Sequence, residues 1–426
     1  MNRHPKSEKT CKGAASLADD VMKACARLAQ FSEVRGETTR TFLSLPMRDV
    51  HAFLTAWMQR LGMRVRVDAM GNLRGVYTGQ GASDPRRPRL MLGSHVDTVP
   101  NAGAYDGVLG VVIGIALIEA LGGRRMSFDI EVVAFSEEEG VRFGVPFLGS
   151  RAVTGQVDDD LLARQDKDGT TVAQAIRDFG LDSAELSDAA LSTDVRAYLE
   201  FHIEQGPVLE SLGRKLGVVE AIVGQSRFRL MFHGSANHAG TTPMRLRRDA
   251  LAGAAEWMLE MERIAHRTTG LVATVGWIEA TPGAANVIPG ESTLSLDVRH
   301  ASDHVRKEAA GIMMEAAREI AAARGLTVSE VMLLDQAAVR MDEGLVARLR
   351  SAMERVGEQP QLIVSGAGHD AMVMAVRVPS AMLFLRSPGG VSHHPGESVL
   401  PQDVEAAIAV GSQFLLTLEE GSSQSL

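Results

Sequence analysis

A chain of 426 residues, 45% hydrophobic and 23% charged, is long enough to bury full cores and to divide into two or three domains. Its net charge of −9 argues against a nucleic-acid partner, because phosphate binding wants a basic stripe that no segment supplies. With 4% aromatic residues it also offers few platforms for stacking bases.

In chain order, the polar start Met1 to Thr10 lacks the apolar core of a secretory signal. Cys11 and Cys25 are the only cysteines, which argues for a reducing, cytoplasmic setting without a disulfide framework or thiolate metal site. Leu17 to Phe31 and Met47 to Leu61 are amphipathic and read as helices, with Gly62 where the second would stop. Met63 to Asp68 and Leu73 to Tyr77 read as strands around the turn at Ala69 to Asn72, Arg89 to Gly93 as a buried strand, Gly107 to Leu121 as a helix and Ile130 to Phe135 as another buried strand. The longest apolar run, Gly107 to Ile118, is too short to cross a bilayer, so no membrane is expected. Val172 to Phe179 is helical, and a strand from Arg196 to Phe201 leads to His202.

The grammar then changes. Strand Arg227 to His233, helix Arg248 to Ile264, strands Leu271 to Glu279 and Ser292 to Val298, helix His304 to Arg324 and strand Leu326 to Leu334 give the order βαββαβ, which can fold alone as a four-stranded sheet with two helices on one face. Residues 222–335 are therefore expected to be an inserted, ferredoxin-like dimerisation and lid domain, within an α/β, mixed-sheet catalytic domain formed by 1–221 and 336–426. Helix Glu343 to Val356, strands Gln361 to Val364 and Ala381 to Leu385, and helix Asp403 to Leu416 complete the first domain, before a tail after Glu420 expected to be disordered.

Five residues scattered over this frame could bind metal: His95, Asp106, Glu139, His202 and His393. Most sit just past a strand, where open α/β sheets keep their crevices. A pair of divalent cations needs nitrogen and oxygen ligands and one carboxylate touching both ions, since a bridging anion offsets their repulsion. Asp106 is the candidate bridge, and Glu138, beside Glu139, is the candidate base. Asp97, two residues from His95, can accept the second imidazole N–H and fix the tautomer. Taken singly, each motif has an ordinary alternative: a surface His–Asp pair, a helix N-cap at Asp106 and a solvated turn at Glu137 to Glu139.

From about residue 20 to 418 the chain resembles the metal-dependent amidohydrolases of the aminoacylase and carboxypeptidase-like superfamily, in the branch of allantoate amidohydrolases, N-carbamoyl-L-amino acid hydrolases and β-ureidopropionases. The resemblance is carried by Ser94 to Val99, Tyr105 to Gly107, Glu137 to Phe143, His202 to Pro207, Asn237 to Met244 and Ser365 to Ala371. It implies one cation held by His95, Asp106 and His202 and another by Asp106, Glu139 and His393, the ions being zinc, manganese or cobalt. It selects Glu139 as the carboxylate directly before the glycine, and His393 over His394. It implies an oxyanion-stabilising role for His238 across a homodimer interface, substrate-carboxylate binding by Asn286 and Arg299, and pocket positions for Gln205, Gly368 and His369. The expected substrate is a small anionic ureido compound. Arg40 to Ser44, Gly71 to Gly75, Asn101 to Val111 and Phe147 to Ser150 resemble allantoate amidohydrolases more than carbamoylases. A catalytically inactive binding protein on the same scaffold is the alternative from another class; retention of all five ligands and Glu138 argues against it.

Overall fold

The computed structural model describes residues 13–81, 84 and 87–420; the stretch Met1 to Thr10, Cys11 and the tail after Glu420 lie outside the described residues. The chain divides into two compact units, one formed by residues 1–220, 341–363 and 368–426 and the other by 221–340 and 364–367.

In the first unit, α1 (Ala14–Leu28) and α2 (Leu45–Arg60) precede β1 (Arg64–Val67), β2 (Leu73–Tyr77), β3 (Arg89–His95), α3 (Val108–Ala120), β4 (Asp129–Phe135), α4 (Leu148–Thr154), α5 (Asp159–Leu162), α6 (Val172–Phe179), β5 (Val195–Ile203), α7 (Val208–Ser211) and β6 (Leu216–Ile222). The strands lie in the order β1-β2-β4-β3-β5, and the late strand described below takes the place between β5 and β6. β4, β3 and β5 run parallel, so their C-terminal ends share one edge. Both β3 and β4 are buried along nearly their whole length, as continuous apolar runs covered on both faces must be. α3 is apolar all round and buried from Val108 to Ile118, packed among α1, the sheet and the C-terminal helix. Its approach is close: a methyl on Gly110 would stand 2.0 Å from the Phe201 carbonyl oxygen, so only glycine lets helix and strand meet there.

The second unit holds β7 (Gly224–His233), β8 (Asn237–His238), α8 (Ala250–Arg267), β9 (Val272–Thr274), β10 (Ile278–Thr281), β11 (Val287–Ile288), β12 (Glu291–His300), α9 (Asp303–Ala323), β13 (Thr327–Gln336) and β14 (Val339–Arg340). Its main sheet is antiparallel in the order β10-β12-β7-β13, with β9 also beside β12. The single strand expected over Leu271 to Glu279 is thus broken into two pieces that share one partner. The break lies at Gly276 and Trp277, where Ser295 accepts the Trp277 N–H through its hydroxyl and donates its own N–H to the Trp277 carbonyl. Alternation along β12 sends Ser292, Leu294, Leu296 and Val298 into a core with Trp257, Met261, Met313 and Ala317 of α8 and α9.

The chain returns to the first unit through α10 (Glu343–Arg355), β15 (Leu362–Ser365), α11 (Asp370–Met374), β16 (Ser380–Leu385) and α12 (Pro401–Glu420). β16 runs parallel to β5 in register to Ile203, which keeps His202 inside the strand, where the sequence reading placed it just beyond. Four parallel strands, β4-β3-β5-β16, therefore end together.

Candidate metal centre

The loops and ends of these four strands carry the candidate ligands. His95 is the last residue of β3, Glu138 and Glu139 follow β4, His202 lies near the end of β5, and His393 lies in the loop between β16 and α12. Asp106 comes from the turn before α3. That helix is N-capped by Gly107 without any side-chain cap bond, so the Asp106 carboxylate is not spent on the helix, which removes the N-cap alternative. Gly107 has φ +65°, and a methyl there would stand 2.4 Å from the His95 ring. Only glycine lets the chain turn this close under the imidazole.

The two Asp106 oxygens face different partners. Oδ1 lies 3.2 Å from His202 Nε2 and 3.8 Å from His95 Nε2, whereas Oδ2 lies 3.2 Å from His393 Nε2. Glu139 Oε1 is 3.4 Å from the same His393 nitrogen. The residues so form two groups that share Asp106: His95, Asp106 and His202, and Asp106, Glu139 and His393, each with its ligand atoms within 4.8 Å of one another. Two further groupings overlap them, His95 with Glu138 and Glu139, and Glu200 with His202 and His369. Glu200 is already engaged, accepting from Ser94 Oγ, the Tyr198 hydroxyl and the Ala371 N–H.

Hydrogen bonding decides which ring nitrogens are bare. His202 Nδ1 is 2.9 Å from the Ile203 carbonyl oxygen, and His95 Nδ1 is 3.2 Å from the Asp97 carbonyl oxygen and 3.3 Å from Asp97 Oδ1. These partners only accept, so Nδ1 carries the hydrogen in both rings and each Nε2 presents a lone pair. The two Nε2 atoms are 3.5 Å apart and face Asp106 Oδ1, a buried oxygen that accepts no hydrogen bond. Three lone-pair atoms converging in a buried place fit a cation. The set contains imidazole and carboxylate without thiolate, which suits zinc, manganese and cobalt alike.

The electrostatics agree. Burial pushes the Glu138 carboxyl well above the usual range against the opposing charge of His95, with Glu139 adding to the rise. Burial and then Asp106 raise Glu139 to about 7. Burial works to raise Asp106 too, yet the neighbouring His202 and His393 rings hold it well below the ordinary value. His393, half-exposed at the rim, is lifted to about 9, chiefly by its bond to Asp106. The centre is crowded with carboxylates that resist ionising together without added positive charge.

Asp97 is a brace for both sides. Besides facing His95, its carboxylate accepts the backbone N–H of Glu138 at 2.9 Å and of Glu139 at 3.1 Å. Gln205 sits beside the centre, its amide donating to Asp106 Oδ2 at 3.0 Å and to Ser392 Oγ at 3.2 Å. Gln205 and His393 both hold positive φ, +60° and +55°, a strained conformation concentrated where the loops meet the centre. The His369 ring lies 4.5 Å from that of His202, and burial, then the His202 charge, push it well below its usual value. At Gly368 a methyl would meet Phe147 at 2.8 Å. His394 accepts the Gly396 N–H and belongs to none of the ligand groups.

His238, Asn286 and Arg299 belong to the second unit. His238 and Asn286 are exposed neighbours, the Asn286 carbonyl accepting the Ala239 N–H beside the pairing of β8 with β11. Arg299 is forked onto Asp297 at 2.8 and 3.2 Å and donates to the Gly366 carbonyl at 2.7 Å.

Sequence reasoning passed over Glu200 and Glu397. Glu200 is two positions before His202 on the same face of β5, a signal that was present in the spacing. Glu397, four residues after His393, is buried and accepts the backbone N–H of Tyr105 and Asp106.

A match to the model of peptidase family M20/M25/M40 extends over residues 91–417. The chain belongs to that family. A probable allantoate deiminase of Oryza sativa subsp. japonica is 37% identical to it, over 92% of this chain and 86% of the relative. An N-carbamoyl-L-amino acid amidohydrolase of Geobacillus stearothermophilus is 36% identical, over 91% and 95%. Among solved structures, an amidase of the hydantoinase/carbamoylase family from Burkholderia multivorans superposes with a TM-score of 0.87 at 32% identity, covering 94% of this chain and 97% of that one. No described helix is long and apolar enough to cross a membrane.

Proposed function

We propose that the chain is an amidohydrolase that cleaves a ureido C–N bond with the help of two divalent cations. The observation that carries this reading is the division of the Asp106 carboxylate, one oxygen towards His95 and His202 and the other towards His393 and Glu139, with Glu138 alongside. His95, Asp106 and His202 would hold one cation, and Asp106, Glu139 and His393 the other. Bound there, the cations supply Lewis acidity that acidifies water and polarises a carbonyl.

Glu138 takes a proton from the attacking water as the water oxygen bonds to the ureido carbon. Its carboxyl, whose affinity for a proton is raised by burial, holds that proton and hands it to the departing nitrogen as the C–N bond breaks. Ammonia leaves, and the carbamate that remains loses carbon dioxide. Asp97 keeps His95 in one tautomer and holds the Glu138 and Glu139 backbone. His238 would stabilise the oxyanion across a dimer interface; its Nδ1 accepts the Gly240 N–H, which leaves the hydrogen on Nε2 as the donor. Arg299 and Asn286 would hold the substrate carboxylate, Arg299 keeping its guanidinium plane fixed through Asp297. Gln205, Gly368 and His369 would line the pocket.

Allantoate is the first substrate, giving ureidoglycine, ammonia and carbon dioxide, and an N-carbamoyl-L-amino acid or β-ureidopropionate is the alternative. The near-equal identities to an allantoate deiminase and to a carbamoyl amino acid amidohydrolase support this pair. Arg40 does not rank them, because it is wholly buried and donates to the carbonyls of Val96, Leu28 and Phe31. We further propose a homodimer formed through the second unit, in a cytoplasmic setting that suits the free thiol of Cys25. Ammonia release from allantoate and from N-carbamoyl amino acids, measured separately with metal-loaded protein, tests the ranking. Turnover of the carbamoyl compounds alone would reverse it, and turnover of neither would remove the activity.

A further inference from the structure

The loop that presents Asp106 is held from below by a carboxylate that lies outside both ligand groups. Glu397 Oε1 accepts the backbone N–H of Tyr105 at 2.9 Å and of Asp106 at 3.0 Å. Its other oxygen lies 3.5 Å from the Ser392 hydroxyl, which is itself 3.2 Å from Asp106 Oδ2 and adjoins His393. The side chain is buried, and the loop wraps it tightly. A methyl on Gly103 would stand 2.4 Å from both Glu397 Cβ and Oε1, so the glycine makes the space that the carboxylate fills.

We propose that Glu397 is a positioning residue that clamps the Asp106 loop to the His393 loop and so sets the separation of the two cation sites. Asp106 can serve two cations only if its two oxygens stay aimed at different partners, and its carboxylate direction follows from its main chain, next to a helix N-cap, Gly107, that has no side chain to fix it. The Glu397 bonds fix that main chain at the residue itself, while Ser392 couples the same acid to the loop carrying His393. The requirement is for an acceptor oxygen in that place. A glutamine carbonyl can accept both N–H groups, whereas alanine leaves both without a partner.

This inference rests on reading the cluster as a two-cation centre, and the test separates the two. Full-length apo protein is titrated with Mn2+, following bound metal by dialysis and elemental analysis and the metal spectrum by electron paramagnetic resonance. The wild-type chain is expected to bind two ions and to give the spectrum of a spin-coupled pair. Glu397→Ala should lose the coupled signal for an isolated-ion one and weaken Mn2+ binding by about 10- to 100-fold, as removal of groups that orient ligands does. Glu397→Gln should keep the coupled spectrum and bind within about threefold of wild type, on the same acceptor argument. Should Glu397→Ala fail to fold, Gly103→Ala displaces the same carboxylate while leaving it in the chain, and is expected to reproduce the loss. A coupled spectrum and unchanged affinity in Glu397→Ala or Gly103→Ala overturns the clamp, as does a glutamine variant as defective as alanine. A wild-type chain that binds no metal overturns the two-cation reading itself.

Discussion

Asp97→Asn is a sharp probe of the centre, because the change preserves volume and alters only what the two terminal atoms can do. In the native site both carboxylate oxygens accept, Oδ1 from the Glu138 N–H and Oδ2 from the Glu139 N–H, and Oδ1 also faces His95 Nδ1. Asparagine has one acceptor oxygen and one donor amide, so one buried N–H must point at another donor. A buried donor left without a partner costs about 1–3 kcal/mol, and loss of the charged acceptor for the other bonds adds to it. Taking about 2–3 kcal/mol as the penalty on the arrangement of Glu138, Glu139 and His95, metal affinity should fall roughly 30- to 150-fold at 1.4 kcal/mol per decade. Turnover measured at sub-saturating metal should fall with it, and excess metal should restore only part, since Glu138 stays displaced. Metal titration followed by ammonia release at saturating substrate measures both. Affinity and turnover within threefold of wild type in a folded Asp97→Asn protein would refute the bracing role.

Glu138→Gln should retain two metal ions per chain by elemental analysis while kcat falls about 10²- to 10⁴-fold, the range for a lost general base; near-wild-type turnover would remove Glu138 from that role. Dialysis against a chelator should abolish ammonia release and lower the melting temperature, and adding back Mn2+, Co2+ or Zn2+ should restore both, because ligands that bind only the folded state stabilise it. Burial, with the nearby Arg48 charge, pushes His51 from 6.5 down to about 4, far from the metal centre in sequence. The unfolded chain therefore takes up this proton first as the pH falls, so stability is full above about 6.5 and is lost between there and about 4, by about 3 kcal/mol over the window. Urea unfolding at pH 7 and pH 5 should show about 2 kcal/mol of this loss in wild type, since pH 5 lies part-way through the window, and a flatter response in His51→Leu; equal slopes in the two proteins would contradict it.

The features legible in the sequence were those with local causes. β2 and α6 match their expected bounds, Leu73 to Tyr77 and Val172 to Phe179, because the turn at Ala69 to Asn72 and a helical face are written in neighbouring residues. The apolar run of β6 was legible and was passed over, whereas the short pair β8 and β11 escaped because their pairing, rather than their own composition, makes them strands. The break between β9 and β10 escaped for a related reason: it depends on Ser295, which lies on the partner strand β12. Two segments whose resemblance ranked allantoate above carbamoyl amino acids contain residues that brace the fold rather than touch the centre. Arg40 gathers three buried carbonyls, and Asn72 links Asp68, the Gly149 carbonyl and the Ser136 N–H.

The candidate ligands could be named from the sequence, but their meeting was implied only by the family resemblance and not by spacing, because it depends on the order of strands in space. β4, β3, β5 and β16 are neighbours in the sheet although β16 comes last in the chain, and the parallel pairing Phe384 with His202 is what brings the His393 loop to the same edge as His95. Spacing along the chain holds no record of that adjacency. The roles of Asp97 and Glu397 follow the same logic. Each acts by accepting main-chain N–H groups from segments that bear ligands, Glu138 and Glu139 for the first, Tyr105 and Asp106 for the second. A carboxylate in such a position sets ligand geometry through backbone N–H groups that any residue but proline could supply. The functional demand therefore falls on an acidic side chain whose own motif resembles an ordinary turn.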